Sequence, residues 1–137
     1  MIRLATILLT VWAGSLWTVC VLVAPTLFAV LEDRQLAGAL AGRFFAIVAW
    51  LGLALGIVLI VMTRTRPWSQ HRRLPQWIAI TAGAPVVSEV LLGAMMKNAR
   101  ELGDMQRFAV LHGLAAVLFL VACVGALVLV WRVSRAE

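Results

Sequence analysis

Four long apolar runs, separated by short polar stretches, organise the chain. They cover roughly residues 4–31, 44–63, 74–96 and 108–131. A helix needs about 20 apolar residues to cross the hydrocarbon core of a bilayer, so each run is long enough to span it. Because the connections are short, successive helices should run antiparallel. The pattern predicts an all-α, polytopic membrane protein in which residues 1–137 form a single domain, an antiparallel four-transmembrane-helix bundle.

Composition and charge support a membrane protein and argue against a nucleic-acid-binding one. Hydrophobic residues make up 64% of the chain and charged residues 13%, against about half and about a quarter in soluble domains. The net charge is +6, but the charges lie between the apolar runs, where membrane proteins carry their basic residues. We therefore expect the lipid bilayer as a partner and no nucleic acid. A homo-oligomer and a membrane-protein partner both stay open.

The basic residues are divided unevenly between the two predicted sides of the membrane. The side with both termini and the middle connection carries seven arginines and one acid, Glu137, whereas the other side carries five basic and four acidic residues. The positive-inside rule then predicts a multi-pass protein of the bacterial cytoplasmic (inner) membrane with both termini in the cytoplasm. The seven arginines are Arg3, Arg64, Arg66, Arg72, Arg73, Arg132 and Arg135, and Trp68, Trp77 and Trp131 lie on the same side.

One carboxylate, Glu89, lies inside an apolar run. Ionisable side chains in hydrocarbon are unfavourable, so they usually face a protein interior and have a partner there. Pro85 lies one turn earlier on the same helical face, and Pro25 lies near the outer end of the first helix. Each proline lacks an N–H and frees a backbone carbonyl, which would make the outer half of the bundle more polar.

Other ionisable groups are predicted in the same half. Glu89 follows Trp77 by twelve residues, which places it ~18 Å into a ~30 Å core. His112 follows Arg107 by five residues, ~7 Å from the outer boundary. We therefore predict a ligand-binding site in which Glu89 pairs with His112, or alternatively with Arg43. A hydrogen-bonded cluster that only fixes helix register is the competing interpretation. The candidate site residues are Glu89, His112, Arg43, Arg107, Pro25 and Pro85.

Sulfur-containing residues give a weaker signal. Cys20 and Cys123 lie in the first and last runs, so they form no CxxC motif and indicate no disulfide framework; buried structural thiols are expected. Thioether and imidazole ligands suit copper, which makes a metal site at the outer end an alternative. No cofactor is predicted. The residues of that alternative site are His112, Met95, Met96 and Met105.

Small residues recur at four-residue spacing in the second helix. Gly38 and Gly42 precede the apolar run, where the chain is expected to extend the helix along the outer surface, and Gly52 and Gly56 lie within it. This spacing lets helices approach closely. Packing inside the bundle is the favoured explanation, and self-association is the alternative.

Several of these motifs together resemble the transmembrane-protein-205-like family, a four-helix membrane domain of unknown function. The resemblance extends over nearly the whole chain and implies the fold and the membrane location, but no reaction. Ser15 and Ala115 depart from the pattern, since relatives often carry glycine and serine there. The matching residues are Trp12, Ala13 and Gly14, then Val23, Ala24, Pro25, Thr26, Leu27 and Phe28, then Ala37, Gly38, Gly42 and Phe45, and finally Phe108, Leu111, His112 and Gly113.

Two classes of function follow from these patterns. The first is a non-enzymatic membrane protein, either an interaction subunit or a small-solute or metal-tolerance factor with its ligand in the outer half. The second is a membrane oxidoreductase or a copper- or haem-binding protein that uses His112 and the sulfur residues. The sequence favours the first.

Overall fold

A computed structural model describes residues 2–64 and 73–135 of the chain, and four antiparallel helices account for nearly all of them. All four are long and apolar enough to cross a membrane, as the apolar runs predict. The first helix, α1, joins Ile2–Trp17, Thr18–Val23 and Ala24–Val30; α2 is Arg34–Met62; α3 joins Leu74–Val87, Ser88–Leu92 and Gly93–Glu101; and α4 is Met105–Ser134.

The two ends of the bundle differ in what they carry. One end, here the termini end, brings together the start of α1, the end of α2, the start of α3 and the end of α4, where Ala5, Thr63, Leu74 and Val133 line one small space. The opposite end, the turn end, carries the two short turns that join α1 to α2 and α3 to α4. Of the residues assigned to the predicted basic side, four lie outside the described part of the chain: Arg66, Trp68, Arg72 and Glu137.

Each turn is closed by an aspartate that caps the following helix. The Asp33 carboxylate accepts hydrogen bonds from the backbone N–H groups of Gln35 (2.8 Å) and Leu36 (3.2 Å). The Asp104 carboxylate accepts one from the N–H of Arg107 (2.9 Å). These bonds satisfy N–H groups that have no partner within the helix. As a result α2 begins at Arg34, ten residues before its apolar run, and the expected helical extension is present.

At the termini end all four helices share one core, centred on Trp12, Leu9, Ile78 and Leu129. Three glycines permit its closest approaches. A Cβ at position 52 would lie 2.5 Å from Nε1 of Trp12, and a Cβ at position 56 would lie 2.7 Å from that of Ala82. On α4, a Cβ at position 125 would lie 2.7 Å from Oγ1 of Thr81. The expected close packing at Gly52 and Gly56 is thus found within the chain.

At the turn end this shared core gives way to two separate hairpins, α1–α2 and α3–α4. The last segment of α1, Ala24–Val30, has no buried residue and packs chiefly on α2. The last segment of α3, Gly93–Glu101, packs chiefly on α4. Its small apolar cluster (Leu92, Ala99 and Leu111) receives side chains from α3 and α4 alone. The hairpins therefore diverge toward the turn end, and we call the space between them the interhairpin gap.

Both α1 and α3 contain a π-helical segment beside a proline. In α1 the segment Thr18–Val23 precedes Pro25, and in α3 the segment Ser88–Leu92 follows Pro85. The wider turns are visible in the backbone hydrogen bonds from Ala24 N–H to Val19 O and from Gly93 N–H to Ser88 O. A proline has no N–H to give to the preceding turn, which accounts for the adjustment before Pro25 in α1; the α3 segment begins three residues after Pro85 and is not explained by that missing donor. These adjustments lie where the hairpins begin to separate.

Candidate functional site

Glu89 lies in the π-helical segment of α3 and is half-buried. Its side chain makes no hydrogen bond or ion pair with any residue in the described ranges. Glu89 follows Ala82 by two helical turns and therefore projects from nearly the same face of α3. Ala82 on that face meets Gly56 of α2. Since α2 and α3 separate beyond this contact, Glu89 faces the interhairpin gap at its deep end.

His112 projects toward the same gap from α4. On that helix Phe119 and Cys123 follow His112 by two and three turns, so the three share a face. Phe119 makes an edge-on ring contact with Phe45 of α2 (4.7 Å between centroids), and Cys123 meets Cys20 of α1. His112, by contrast, is exposed and stacks on Phe108 at 6.0 Å. Phe119 and Cys123, nearer the termini end, are covered by the α1–α2 hairpin. At the level of His112 that hairpin has moved away, so the same face of α4 is exposed there.

The contact between Thr81 and Gly125 fixes the register of α3 against α4. Counting from it, Glu89 lies eight residues toward the turn end and His112 lies thirteen. At about 1.5 Å per residue, His112 is about 7 Å closer to the turn end than Glu89. The two groups thus face one gap at successive depths without touching, and their membership of one site stays a prediction.

The other candidate site residues occupy different positions around this gap. Arg43 on α2 and Arg107 on α4 are both exposed, and neither reaches Glu89 within the described ranges. Pro25 is exposed on α1, whereas Pro85 is buried in the core of α3. Arg100 lies over the Phe108 ring at 4.7 Å, which completes a row from Arg100 through Phe108 to His112 along the α3–α4 hairpin.

The residues of the alternative copper site differ in exposure. Met95 and Met105 are exposed, while Met96 packs into the small apolar cluster of the α3–α4 hairpin. Within residues 2–64 and 73–135, no three His, Cys, Asp or Glu side chains come together as a metal site would require. The copper alternative stays a prediction.

Two residues that the sequence treats as unrelated are in contact. Sγ of Cys20 and Sγ of Cys123 lie 3.6 Å apart, which joins α1 to α4. Beside them, Nε1 of Trp17 donates a hydrogen bond to the Cys123 carbonyl (3.3 Å). Counted from Arg3 and Arg132, the cysteines would lie at about 25 and about 13 Å depth, so counting from flanking charges conceals the pair. Only the packing register of α1 on α4 reveals it.

Comparison with known proteins gives one match. No curated protein and no solved structure is significantly similar to this chain. A sequence profile described as a domain of unknown function, DUF4149, matches residues 7–105. The match begins within the second turn of α1, includes α2 and α3 together with Cys20 and Glu89, and ends at the first residue of α4. Since it covers most of the chain, the protein belongs to the DUF4149 family.

Proposed function

We propose that this is a non-enzymatic membrane protein that binds a small amphiphilic cation in the interhairpin gap. The observation that carries the proposal is the unpartnered carboxylate of Glu89 at the deep end of that gap. A carboxylate at membrane depth is unfavourable unless a partner of opposite charge or a hydrogen-bond donor approaches it. A bound cation would supply that partner.

The surroundings of Glu89 favour an amphiphile over a hydrated inorganic ion. The four helices that border the gap are apolar over most of their length. The Phe45–Phe119 ring pair joins α2 to α4 below the level of His112. Aromatic faces attract organic cations, and apolar walls match their hydrocarbon parts. Glu89 would neutralise the charged group while the walls contact the rest of the molecule.

The proposed orientation makes the turn end the outer face. Five described arginines cluster at the termini end (Arg3, Arg64, Arg73, Arg132 and Arg135), which supports cytoplasmic termini in a bacterial inner membrane. Alkaline phosphatase and green fluorescent protein fusions test this placement. We expect fluorescence from a fusion after Glu137 and phosphatase activity from one at Glu101; the reverse result would overturn the orientation.

The finer family assignment also stays a proposal. The motif around Val23 to Phe28 and the His112–Gly113 pair support a place among transmembrane-protein-205-like proteins. In the structure the first motif lies on the α1–α2 hairpin and the second on the α3–α4 hairpin, the two hairpins that border the interhairpin gap.

Binding is tested with radiolabelled tetraphenylphosphonium as the cation and the full chain in lipid nanodiscs. We expect saturable binding that Glu89→Gln weakens by about tenfold or more, since one charge-assisted contact is worth about 1.5–3 kcal/mol. Glu101→Gln is the matched control, because it removes an exposed carboxylate from the same helix. Equal binding by the wild type and Glu89→Gln would reject the site.

A double-mutant cycle tests whether His112 belongs to the same site. If both groups contact one ligand, the effects of Glu89→Gln and His112→Ala on tetraphenylphosphonium affinity should be non-additive. Additive effects on affinity would separate His112 from the cation site and leave Arg43 as the neighbour to test next.

A further inference from the structure

We propose that Cys20 and Cys123 are a redox-active thiol pair that forms a reversible disulfide inside the bilayer. The proposal does not depend on the cation site, because neither cysteine lines the interhairpin gap near Glu89. It rests on the contact between the two sulfur atoms and on the local structure that holds them.

The pair is positioned by both helices. Cys20 lies in the π-helical segment Thr18–Val23 of α1, and such wide turns occur frequently at functional sites. Cys123 is buried on α4, while Cys20 is partly exposed to the surroundings of the bundle. Trp17, one turn before Cys20 on α1, donates a hydrogen bond to the backbone carbonyl of Cys123 on α4. This bond holds the two helices together beside the sulfur pair. The two sulfurs, 3.6 Å apart, need a small movement to reach bonding distance, about 2.05 Å.

Charge balance favours a disulfide over a bound soft metal. A copper(I) ion held by two thiolates would leave one net negative charge in hydrocarbon, which is unfavourable without a partner. No third His, Cys, Asp or Glu joins the pair within the described ranges. Two neutral thiols and one neutral disulfide, in contrast, leave no charge behind.

The requirement that no net charge remain in the hydrocarbon also decides which oxidant can act on the pair. Forming the S–S bond breaks two S–H bonds and releases two electrons and two protons. A lipid-soluble quinone takes up both electrons and both protons on its two oxygens and becomes a quinol, so the whole reaction remains neutral. A charged, water-soluble oxidant cannot enter the hydrocarbon to reach the pair. Cys20 is the more exposed sulfur and is therefore the one that meets the oxidant first.

The test uses the full chain in liposomes with decylubiquinone as the oxidant. We expect the intact mass to fall by two hydrogen atoms and both cysteines to resist alkylation by N-ethylmaleimide after denaturation. Dithiothreitol should restore the original mass and make both cysteines reactive toward N-ethylmaleimide again. Hexacyanoferrate(III), which stays in the aqueous phase, is the matched oxidant control and should leave the thiols reduced.

Two variants complete the experiment. Cys20→Ser and Cys123→Ser should each keep one alkylatable thiol after quinone treatment and remain monomeric on non-reducing gels. The oxidised wild type should also unfold at a higher fraction of sodium dodecyl sulfate than the reduced protein, since a bond between α1 and α4 restricts the unfolded chain. Two alkylatable thiols after quinone treatment, disulfide-linked dimers instead of a bond within one chain, or stoichiometric copper(I) bound in place of a disulfide would each overturn the proposal.

Discussion

Helices of membrane-spanning length reach both ends of this bundle, yet the core that all four helices share lies at the termini end. Gly52, Gly56 and Gly125, the three glycines with the closest neighbours, all lie in the shared four-helix core. Gly42 and Gly113, which lie toward the turn end, have no neighbouring atom within 4 Å of a Cβ position, and the same holds for Gly14 and Gly83 where they face away from the shared core. Because lipid is as apolar as a leucine side chain, close packing and not hydrophobicity decides where membrane helices associate.

This difference assigns separate tasks to the two ends. The termini end fixes the register of the helices and leaves no buried carboxylate within the described residues. The turn end leaves Glu89 and His112 facing a gap between two hairpins. The proposed cation site lies in the divided part, so binding there would leave the shared core unchanged.

The largest expected effect is at Trp12, the largest side chain buried in the shared core. Trp12→Ala should lower the free energy of unfolding by about 3 kcal/mol, the low end for such truncations, because lipid already solvates an apolar chain well. Trp50→Ala is the control, since Trp50 is 53% exposed on α2. Unfolding in mixed dodecylmaltoside and dodecyl sulfate micelles gives both values. Equal losses in the two variants would contradict a core centred on Trp12.

A matched pair on α4 compares the two ends directly. Leu129 lies in the shared core, and Leu111 lies in the small cluster of the α3–α4 hairpin. Leu129→Ala should cost about 2–3 kcal/mol, and Leu111→Ala less, because an open hairpin collapses more easily around the missing atoms. The same unfolding assay measures both. If Leu111→Ala proves the more destabilising change, the turn end is not the looser half.

Two glycines on α2 should respond differently to an added methyl group. At Gly52 a methyl group would meet the rigid Trp12 ring, so Gly52→Ala should lower the unfolding free energy by about 1–2 kcal/mol despite the better helix propensity of alanine. At Gly42 the space is open, so Gly42→Ala should be neutral or slightly stabilising. A stable Gly52→Ala variant with unchanged oligomer size would show that the Trp12 contact is not close in the membrane.

The same pair shows what the sequence predicts and what it cannot. The apolar runs predict the four helices because span length and hydrophobicity are local properties. Small-residue spacing is equally clear at Gly38–Gly42 and at Gly52–Gly56, yet in the first pair Gly42 has open space and Gly38 meets only the Phe28 ring, at 3.8 Å. Whether a small residue meets a partner depends on where two helices cross, which is a property of the whole bundle.

The candidate site shows the same limit. Glu89 is visible in the sequence because a carboxylate in an apolar run stands out, and the structure leaves it without a partner in the described residues. The sequence does not predict the Cys20–Cys123 contact, because that contact depends on how far α1 extends past the end of α4 at the termini end. Depth counted from flanking charges assumes that helices start level, and the contact shows that these two do not.

The smallest expected effect is at the cap of α2, where the turn end depends on a single side chain. Asp33 satisfies two N–H groups at the start of α2, and in the first turns of that helix Gly38 meets Phe28 of α1. Asp33→Ala should therefore cost about 1 kcal/mol and fray α2 locally without loosening the shared core. Glu32→Ala is the control, because Glu32 is exposed next to Asp33 and makes no hydrogen bond with the described residues. Backbone amide exchange in nanodiscs should rise at residues 35–37 in Asp33→Ala and stay unchanged around Gly52. Faster exchange at both places would mean that the two ends unfold together, and the hairpins would then not be independent of the core beneath them.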